Sequence, residues 1–514
     1  MKRAPADVAL LLEGTYPYVR GGVSSWVHQI ITGLPEITFA LIFVGGRRAD
    51  YGDIRYELPK NVVHIETHYL EDAWKTGKGA LPGKRGSAGA KQFAGCEHLH
   101  QFLKHSARGT REAQIDLAQL AHSADQVLAQ LELPGGLGID DYLSHPLAWE
   151  QIRNAHLDGD PQAAFVDYFW SLRLMHGPLF QLARIANSAA EARCFHTIST
   201  GYAGFLGSLL VSRRQRPLIL SEHGIYTKER RIDLNQAEWF EQLHAGQATA
   251  ALGGTQSLRE LWIRFFESLG RLTYRAADPI VSLYDGNRKR QLADGAAPQR
   301  TRVIVNGIDA RRFLKAREVR SESVPRVVGL VGRVVPIKDV KTFIRTMRQV
   351  VSALPDAEGW VIGGSDEDPA YAEECQALAR SLGIADKLRF LGHQNVLDIL
   401  PKLGVLMLTS ISEAQPLAIL EAFAAGVPCI ATDVGACREQ IEGGTPEDRT
   451  LGQAGRVVPF ADAEALARAA IELLSSPDTW RTCQAAGIAR VEQYYSQSAM
   501  LDAYRSVYRG ALEA

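Results

Sequence analysis

Short apolar runs alternate with helical patterns along the second half of the chain. One run, at about Pro325–Val335, precedes apolar side chains that recur at helical spacing, at Val340, Phe343, Ile344, Met347, Val350, Val351 and Leu354. Further strands are predicted at Gly359–Gly363, Lys387–Leu391, Val405–Thr409, Pro428–Thr432 and Arg456–Pro459. Such alternation is typical of βαβ units that build a parallel sheet. The pattern therefore predicts a Rossmann-like domain.

The first half of the chain begins with the same alternation of apolar runs and helical patterns. A strand at Val8–Leu12 is followed by Gly21-Gly22 and by a helix whose apolar face carries Val23, Trp26, Val27, Ile30, Ile31 and Leu34. Later strands are predicted at Thr38–Val44, Cys194–Ser199, Pro217–Ser221, Pro279–Leu283 and Thr301–Val305. The first half is therefore predicted to form a second Rossmann-like domain.

A long interruption separates the early strands of this first half from the later ones. Residues 70–190 combine a Gly/Lys/Ala-rich stretch with several helical patterns, so we expect a helical insertion. The predicted organisation is an amino-terminal domain over residues 1–315, a carboxy-terminal domain over residues 316–490, and a last helix over residues 491–514 that crosses back onto the amino-terminal domain. The predicted fold class is α/β with two parallel sheets.

The composition limits the functions to be considered. Hydrophobic residues make up 46% and charged residues 22% of the chain, as in a globular protein, and a formal net charge of -1 without a dominant basic patch argues against nucleic-acid binding. The six cysteines form no C-x-x-C pair, so neither a zinc ribbon nor a redox motif is indicated. Because no signal peptide or apolar stretch of about 18 residues is present, a cytoplasmic protein is expected.

The first candidate site follows the strand that opens the carboxy-terminal domain. In open parallel sheets, ligands bind beyond the carboxyl ends of the strands. Gly332-Arg333 lies at such an end, and Lys338 is expected at the start of the next helix. Two fixed cations beside a helix amino terminus suit a diphosphate. An arginine and a lysine in isolation are more often ordinary surface charges, so the position after a strand carries the argument.

A second group of residues follows the predicted strand Val405–Thr409. The chain there leads into a helix that carries Glu421, which is expected just over one turn from the helix start and suited to accept both hydroxyls of a ribose. Proline is favourable in the first helical turn because it has no N–H to leave unpaired. Glu413 and the free N–H groups near Leu417 are expected to face a sugar or a phosphate, with loop contacts from Ala414, Gln415 and Pro416.

Two features of the amino-terminal half complete the candidate set. His223 follows the predicted strand Pro217–Ser221, which puts an imidazole at the rim of the sheet, although a lone histidine is more often structural. Gly21-Gly22 opens the first helix, where a glycine loop lets a phosphate or sugar approach the backbone. The loop is not G-x-G-x-x-G, and Ile42, Phe43 and Val44 occupy the region where a dinucleotide-binding acid is expected, so NAD binding is disfavoured.

An acidic cluster, Asp366-Glu367-Asp368, has the D-x-D spacing that can hold a divalent metal ion. Because Pro369 and a helical pattern follow, an acidic helix start is the favoured interpretation. We therefore expect no metal ion and no other cofactor.

Taken together, these motifs resemble the retaining glycosyltransferases of family 4, which have the GT-B fold of two facing Rossmann-like domains. The resemblance covers most of the chain outside the insertion and includes Asn306-Gly307-Ile308-Asp309, which looks like an N-G-(I/V)-D segment of that family. It implies that Arg333 and Lys338 bind the donor diphosphate, and that Glu413 and Glu421 are the two acids of an E-x7-E motif. The glycine loop and His223 match two further family positions.

More narrowly, Glu13 to Trp26 and Ser221 to Tyr226, together with the long insertion, resemble cytosolic transferases of bacterial exopolysaccharide synthesis. This resemblance implies a UDP-sugar donor, either UDP-glucose or a UDP-N-acetylhexosamine, a glycan acceptor, and partner proteins for synthesis and export at the inner membrane. Many family 4 members have Gly-Phe or Ser-Phe after the first glutamate, where this chain has Ala414-Gln415. The identity of the sugar therefore does not transfer from the family.

The function expected from the sequence is metal-independent transfer of a hexosyl unit from a UDP-sugar with retention of anomeric configuration. Glu413 is expected either to hold the donor sugar or to stabilise positive charge at the anomeric carbon, and His223 to contact the sugar or its phosphate. Two alternatives remain open: a UDP-sugar epimerase of the same architecture, and a non-catalytic nucleotide-sugar sensor or scaffold in a synthase complex.

Overall fold

The structure is a computed structural model that describes residues 5–72, 89–105, 117–158, 163–236, 251–320 and 323–513. The chain divides into two compact units. The first unit comprises Met1–Ser282, Arg288–Arg302 and Tyr504–Ala514, and the second comprises Leu283–Asn287 and Val303–Ala503.

The first unit is built on a seven-stranded sheet with the order β3-β2-β1-β4-β5-β6-β7. The pairs from β3 through to β6 are parallel. The order reverses between β1 and β4, as in the Rossmann fold, and ligands bind at such a switch point. The strands are β1 (Ala6–Glu13), β2 (Phe39–Gly45), β3 (Val62–Tyr69), β4 (Ala192–Thr197), β5 (Leu218–Glu222), β6 (Ile280–Ser282) and β7 (Thr301–Val303).

Helices pack around this sheet, and five of the helices in the described residues belong to the insertion after β3. The prediction of a helical insertion is thereby confirmed for the part of the chain that is described, whereas much of the Gly/Lys/Ala-rich stretch, at residues 73–88, lies outside it. The insertion helices are Ala90–His105, Leu117–Gln130, Ile139–Ser144, Pro146–Leu157 and Phe165–Ser188. The other helices of the first unit are Gly22–Gly33, Tyr202–Arg214, Tyr226–Gln236 and Ala251–Ala276, and Asp285–Ala293 begins in the second unit and ends in the first.

The second unit holds a six-stranded sheet of order β10-β9-β8-β11-β12-β13, in which every neighbouring pair is parallel. Its switch point lies between β8 and β11. The strands are β8 (Val327–Val331), β9 (Glu358–Ile362), β10 (Leu388–Gly392), β11 (Val405–Leu408), β12 (Cys429–Thr432) and β13 (Gly455–Val458). The helices are Leu314–Glu318, Val340–Ala353, Pro369–Ser381, Val396–Ile399, Leu417–Ala424, Cys437–Glu442, Pro446–Arg449, Ala463–Ser475 and Pro477–Tyr494.

Most strands lie where the apolar runs predicted them, with two corrections. β3 was not predicted, because its sequence VVHIETHY, at the edge of the sheet, carries several polar residues and forms no continuous apolar run. The strand expected at Pro325–Val335 is shorter, since it ends at Val331 and the chain then turns into a 3-10 helix at Pro336–Lys338. A loop therefore follows β8, and it begins with Gly332-Arg333.

The last helix, Gln497–Glu513, begins in the second unit, and its part from Tyr504 onward belongs to the first unit, where Tyr504 and Tyr508 are buried in a network of polar groups. The hydroxyl of Tyr508 lies 2.7 Å from Nδ1 of His196, whose Nε2 lies 2.8 Å from Oγ of Ser221. The hydroxyl of Tyr504 lies 2.9 Å from the same Ser221 oxygen. Because buried polar groups without partners are costly, this network fixes how the helix docks.

All six cysteines are buried and unpaired, so none of them forms a disulfide. Among the helices that the structure describes, none combines the length and the apolar character required to cross a bilayer.

Candidate functional site

Two loops meet at the switch point of the second unit. One begins at Gly332 after β8, and the other at Thr409 after β11. Because β8 and β11 are parallel neighbours, their carboxyl ends lie at the same edge of the sheet. This edge is where an open parallel sheet binds its ligand.

Lys338 is held at this edge by the loop after β11. The buried Thr409 hydroxyl donates to the carbonyl oxygens of Lys338 and Asp339, at 2.8 and 3.0 Å, and Ile411 N–H donates to the carbonyl of Ile337 at 2.9 Å. Lys338 ends a 3-10 turn rather than beginning the helix as predicted. The helix starts at Val340, because the Asp339 side chain caps it by accepting a bond from Thr342 N–H.

Glu413 is the partner of this lysine. Its Oε1 accepts a hydrogen bond from Lys338 Nζ at 2.5 Å and another from Ser410 Oγ at 2.6 Å. The ion pair is largely shielded, since the side chains of Lys338 and Glu413 are 22% and 11% exposed. A lysine and a glutamate separated by 75 residues are thus joined at the switch point.

The loop that carries Glu413 rests on the loop after β12. Gly435 has a φ of +57°, and a Cβ there would lie 2.3 Å from the carbonyl oxygen of Glu413, so the close approach requires glycine. Ala436 N–H donates to the carbonyl of Ala414 at 2.7 Å. These contacts fix the backbone of the acidic loop.

Arg333 is the exposed cation of the site. Its Nη1 donates to the two carboxylate oxygens of Glu367 at 2.6 and 2.5 Å, and each of the two side chains is 55% exposed. Asp368, the next residue, caps the helix Pro369–Ser381 by accepting a bond from Tyr371 N–H at 3.0 Å. In the acidic cluster, one carboxylate thus pairs with arginine and another caps a helix, as expected for a helix start.

The helix Leu417–Ala424 follows the acidic loop and carries Glu421. Pro416 has an extended ψ of 119° and is the N-cap, not a residue of the first turn as predicted. Leu417 is therefore the first helical residue, and its N–H belongs to the unpaired amino terminus of the helix. Glu421 lies four residues further along, just over one turn into the helix, as expected.

Glu421 is half-buried, and burial raises its pKa to about 7. The positive charge of Arg312, which follows the Asn306–Asp309 segment, opposes this shift. The carboxyl is therefore poised between its neutral and ionised forms near neutral pH. A hydrogen-bond donor such as a hydroxyl group would favour the ionised form.

Gln415 points to the interior rather than to solvent. It is 5% exposed, and its Oε1 accepts a bond from the Asn306 N–H at 2.7 Å. The amide thereby ties the Asn306-Gly307-Ile308-Asp309 segment to the acidic loop. The contact that the structure shows for Gln415 is therefore with the backbone of another loop of the protein.

The remaining predicted residues belong to the first unit. Gly21 and Gly22 are exposed at the start of the helix Gly22–Gly33, and a Cβ on either would meet no atom within 4 Å. His223 follows β5 and is buried, with the ring of Trp26 at 4.5 Å between centroids in an edge-to-face arrangement. Burial lowers the pKa of His223 to about 4, so its imidazole is neutral at pH 7.

Glu222, directly before His223, is a buried acid that sequence reasoning did not single out. It accepts bonds from the hydroxyls of Thr200 and Tyr274, the N–H of Tyr226 and the side-chain amide of Gln291, at 2.7–3.2 Å. Burial raises its pKa to about 7 in spite of these four donors. Its position after an apolar strand was visible in the sequence, but three of its four partners, Thr200, Tyr274 and Gln291, come from distant segments.

Residues 6–299 match the model of a protein family described as "Domain of unknown function (DUF3492)". Because this is more than half of the chain, the chain belongs to that family. A second profile, described as "Glycosyl transferases group 1", matches residues 325–476. That range includes Arg333, Lys338, Glu413 and Glu421, so the second unit carries a group 1 glycosyl transferase domain.

Among curated proteins, the chain is similar to glycosyltransferases of several specificities. It is 29% identical over 220 residues to the lipopolysaccharide core biosynthesis mannosyltransferase LpsB of Rhizobium meliloti, covering 41% of this chain and 61% of LpsB. It is 27% identical over 336 residues to the alpha-maltose-1-phosphate synthase of Mycolicibacterium smegmatis, covering 61% of this chain and 77% of the synthase. The chain therefore spans less than two thirds of LpsB.

Solved structures confirm the predicted fold. Anabaena HepE, in a complex with UDP and glucose, superposes with a TM-score of 0.57 and 14% identity, over 98% of this chain and all of HepE. WaaG, a glycosyltransferase involved in lipopolysaccharide biosynthesis, gives a TM-score of 0.53 and 14% identity, over 97% of this chain and 99% of WaaG. The chain thus has the GT-B architecture of two Rossmann-like domains with parallel sheets.

Proposed function

We propose that the chain is a retaining glycosyltransferase that transfers a hexosyl unit from a UDP-sugar to a growing exopolysaccharide. The observation that carries the proposal is the cluster of Arg333, Lys338 and Glu413 at the carboxyl ends of β8 and β11. Two cations at a switch point suit the diphosphate of a nucleotide-sugar, and a neighbouring carboxylate suits the sugar.

The chemical step requires stabilisation of the leaving group. When the bond between the anomeric carbon and the diphosphate breaks, negative charge grows on the diphosphate oxygens. Arg333 and Lys338 would bind these oxygens, and the amino terminus of the helix that begins at Leu417 would add N–H donors. With this positive charge supplied by the protein, we propose that the reaction needs no metal ion or other cofactor.

Other residues would position the donor sugar. Glu413 would either bind the hydroxyls of the sugar or stabilise positive charge at the anomeric carbon. We propose that His223, as a neutral hydrogen-bonding group, contacts the sugar or its phosphate. Gly21 and Gly22 would let a sugar approach the backbone, because nothing in the described residues would crowd a Cβ at either position.

We propose uridine as the donor nucleoside, and the carboxylate of Glu421 as the group that accepts bonds from its ribose. The Anabaena HepE structure holds UDP, which supports uridine. A GDP-mannose-dependent mannosyltransferase of Corynebacterium glutamicum is also similar, at 28% identity over 216 residues, so the base needs a direct test.

We further propose that the chain is of the PelF type, the cytosolic transferase of Pel exopolysaccharide synthesis in biofilm-forming bacteria, because of the Glu13–Trp26 and Ser221–Tyr226 motifs and the insertion. It would then act in the cytoplasm, at the inner membrane through synthase and export proteins. The insertion offers a surface for such partners, since Trp149 and Trp170 are 50% and 51% exposed and both contact the ring of Phe169.

Calorimetric titration with UDP, GDP, ADP, UDP-glucose and UDP-N-acetylglucosamine tests the donor assignment. We expect the uridine nucleotides to bind most tightly, and Glu421→Ala to weaken all uridine ligands together, because the ribose is common to them. Preference for adenine or guanine nucleotides would overturn the UDP assignment. Undiminished binding by Glu421→Ala would overturn the role of Glu421.

The affinity for UDP-glucose is also expected to depend on pH. The ionised carboxylate of Glu421 is the better acceptor for ribose hydroxyls, and its pKa of about 7 makes it mostly neutral at pH 6 and mostly ionised at pH 8. We expect the Kd to be about tenfold higher at pH 6 than at pH 8. Glu421→Gln should remove this dependence, whereas an equal dependence in both proteins would place its origin elsewhere.

Two other functions would use the same architecture. A UDP-sugar epimerase would convert the nucleotide-sugar without an acceptor, and would show as an epimerised UDP-sugar with no glycan product. A nucleotide-sugar sensor or scaffold would bind the donor through Arg333 and Lys338 but show no turnover with any acceptor. Product analysis therefore separates all three functions.

A further inference from the structure

Glu367 takes no part in the proposed mechanism, although it binds Arg333. Its carboxylate binds Arg333 through both oxygens, at 2.6 and 2.5 Å from Nη1. The Glu367 carboxylate thus binds the same guanidinium group that the proposed function assigns to the donor diphosphate. The charge of Arg333 is therefore already paired with a carboxylate of the protein.

The backbone around Glu367 is fixed against the loop after β8. Gly332 N–H donates to the carbonyl of Ile362 at 2.9 Å, and Val334 N–H donates to that of Gly364 at 2.8 Å. Gly363 has a φ of +155°, and a Cβ there would lie 1.9 Å from the carbonyl oxygen of Gly332. Only glycine permits this approach. With Asp368 fixed as a helix cap on its other side, Glu367 is held within reach of Arg333.

The two ion pairs of the site differ in exposure. Lys338 and Glu413 are 22% and 11% exposed, whereas Arg333 and Glu367 are both 55% exposed. An exposed pair is weak and is readily displaced by a ligand with more negative charge. The Arg333–Glu367 pair is therefore the one that an incoming diphosphate can break.

We propose that Glu367 is an affinity-determining residue of the donor site, because its carboxylate competes with the donor diphosphate for Arg333. The proposal rests on the proposed function, which takes Arg333 to bind the diphosphate. The competition weakens the binding of the donor and also of the UDP product. It thereby favours the release of UDP after each transfer.

Titration of Glu367→Gln with UDP tests this competition. The variant should bind UDP roughly two- to fivefold more tightly than the unchanged protein, the size of an exposed ion pair. The gain should shrink as salt rises from about 20 to about 300 mM, because exposed charges are screened. In the Arg333→Ala background, Glu367→Gln should give no gain, since the competed group is absent.

Asp366→Asn is the matched control. Asp366 is the neighbouring carboxylate, its side chain is 88% exposed, and Nε2 of His393 lies 3.9 Å from its Oδ1. Equal tightening by Asp366→Asn and Glu367→Gln would show a general effect of charge and overturn the proposal, as would unchanged or weaker UDP binding by Glu367→Gln. If Arg333→Ala itself left UDP binding unchanged, the proposed function of the site would fail instead.

Discussion

Lys338→Ala is expected to weaken the binding of UDP by about 10- to 100-fold. Lys338 Nζ lies at the switch point of the second unit and would donate charge-assisted bonds to the diphosphate, each worth about 1.5–3 kcal/mol. Its removal also leaves the shielded Glu413 carboxylate without its cation, so that a negative charge faces the incoming diphosphate. Arg333→Ala should have a smaller effect in the same direction, because that side chain is more exposed. Calorimetry with UDP measures both.

Lys341→Ala is the matched control for this experiment. Lys341 lies three residues further along, in the helix Val340–Ala353, and pairs with Glu374 at 2.6 Å. This substitution removes a positive charge from the same segment and leaves the pair of Lys338 and Glu413 in place. If Lys338→Ala and Lys341→Ala changed the Kd for UDP equally, the loss would reflect the overall field and not a diphosphate site.

The second large effect is expected from Glu413→Gln. The neutral amide keeps the size of the side chain but removes the charge that would stabilise the anomeric centre, so kcat should fall by about 100-fold or more. Binding of UDP should not weaken, because a negative charge next to Lys338 is lost. The measurement is the release of UDP under saturating donor and acceptor, with the Kd for UDP determined beside it.

A comparison with Glu442→Gln separates this effect from a loss of structure. Glu442 pairs with Arg438 at 2.9 Å, whereas the partner of Lys338 is Glu413. We expect that variant to keep its turnover, and Glu413→Gln to unfold within a few degrees of the unchanged protein. Full turnover by Glu413→Gln would remove Glu413 from the chemistry, and weaker UDP binding would make it a donor-binding residue.

The positions of the strands could be predicted because parallel strands buried on both faces are continuous apolar runs. β11 and β12 are buried along their whole length, and both coincide with predicted runs to within one residue. β3 is different, since it lies at the edge of its sheet and carries two histidines, a glutamate and a threonine. Its polar side chains hide it from a search for apolar segments.

The pairing of the site residues could not be predicted from the sequence. Arg333 and Glu367 are 34 residues apart, and they meet because β8 and β9 are neighbours and Gly363 brings the two loops together. Lys338 reaches Glu413 because β11 lies on the other side of β8. Order along the chain predicted which edge these residues share, while strand order in the sheet determined their partners.

Capping residues explain the smaller errors at the site. Lys338 and Pro416 were both placed at the start of a helix, although they lie two residues and one residue before its first helical residue. The side chain of Asp339 caps the helix that follows Lys338, and the extended backbone of Pro416 makes it the residue before the first helical turn. Helix starts depend on backbone angles and on local side-chain bonds, which hydrophobic spacing does not report.

The central claim is that the chain transfers sugar from a UDP-sugar to an acceptor with retention of configuration. The most direct measurement is NMR of a reaction that contains the protein, UDP-glucose or UDP-N-acetylglucosamine, and a glycan acceptor. We expect one UDP to be released for each new α-linked sugar on the acceptor, with the α configuration of the donor kept. A β-linked product would contradict retention, and an epimerised UDP-sugar with no new glycan would contradict transfer.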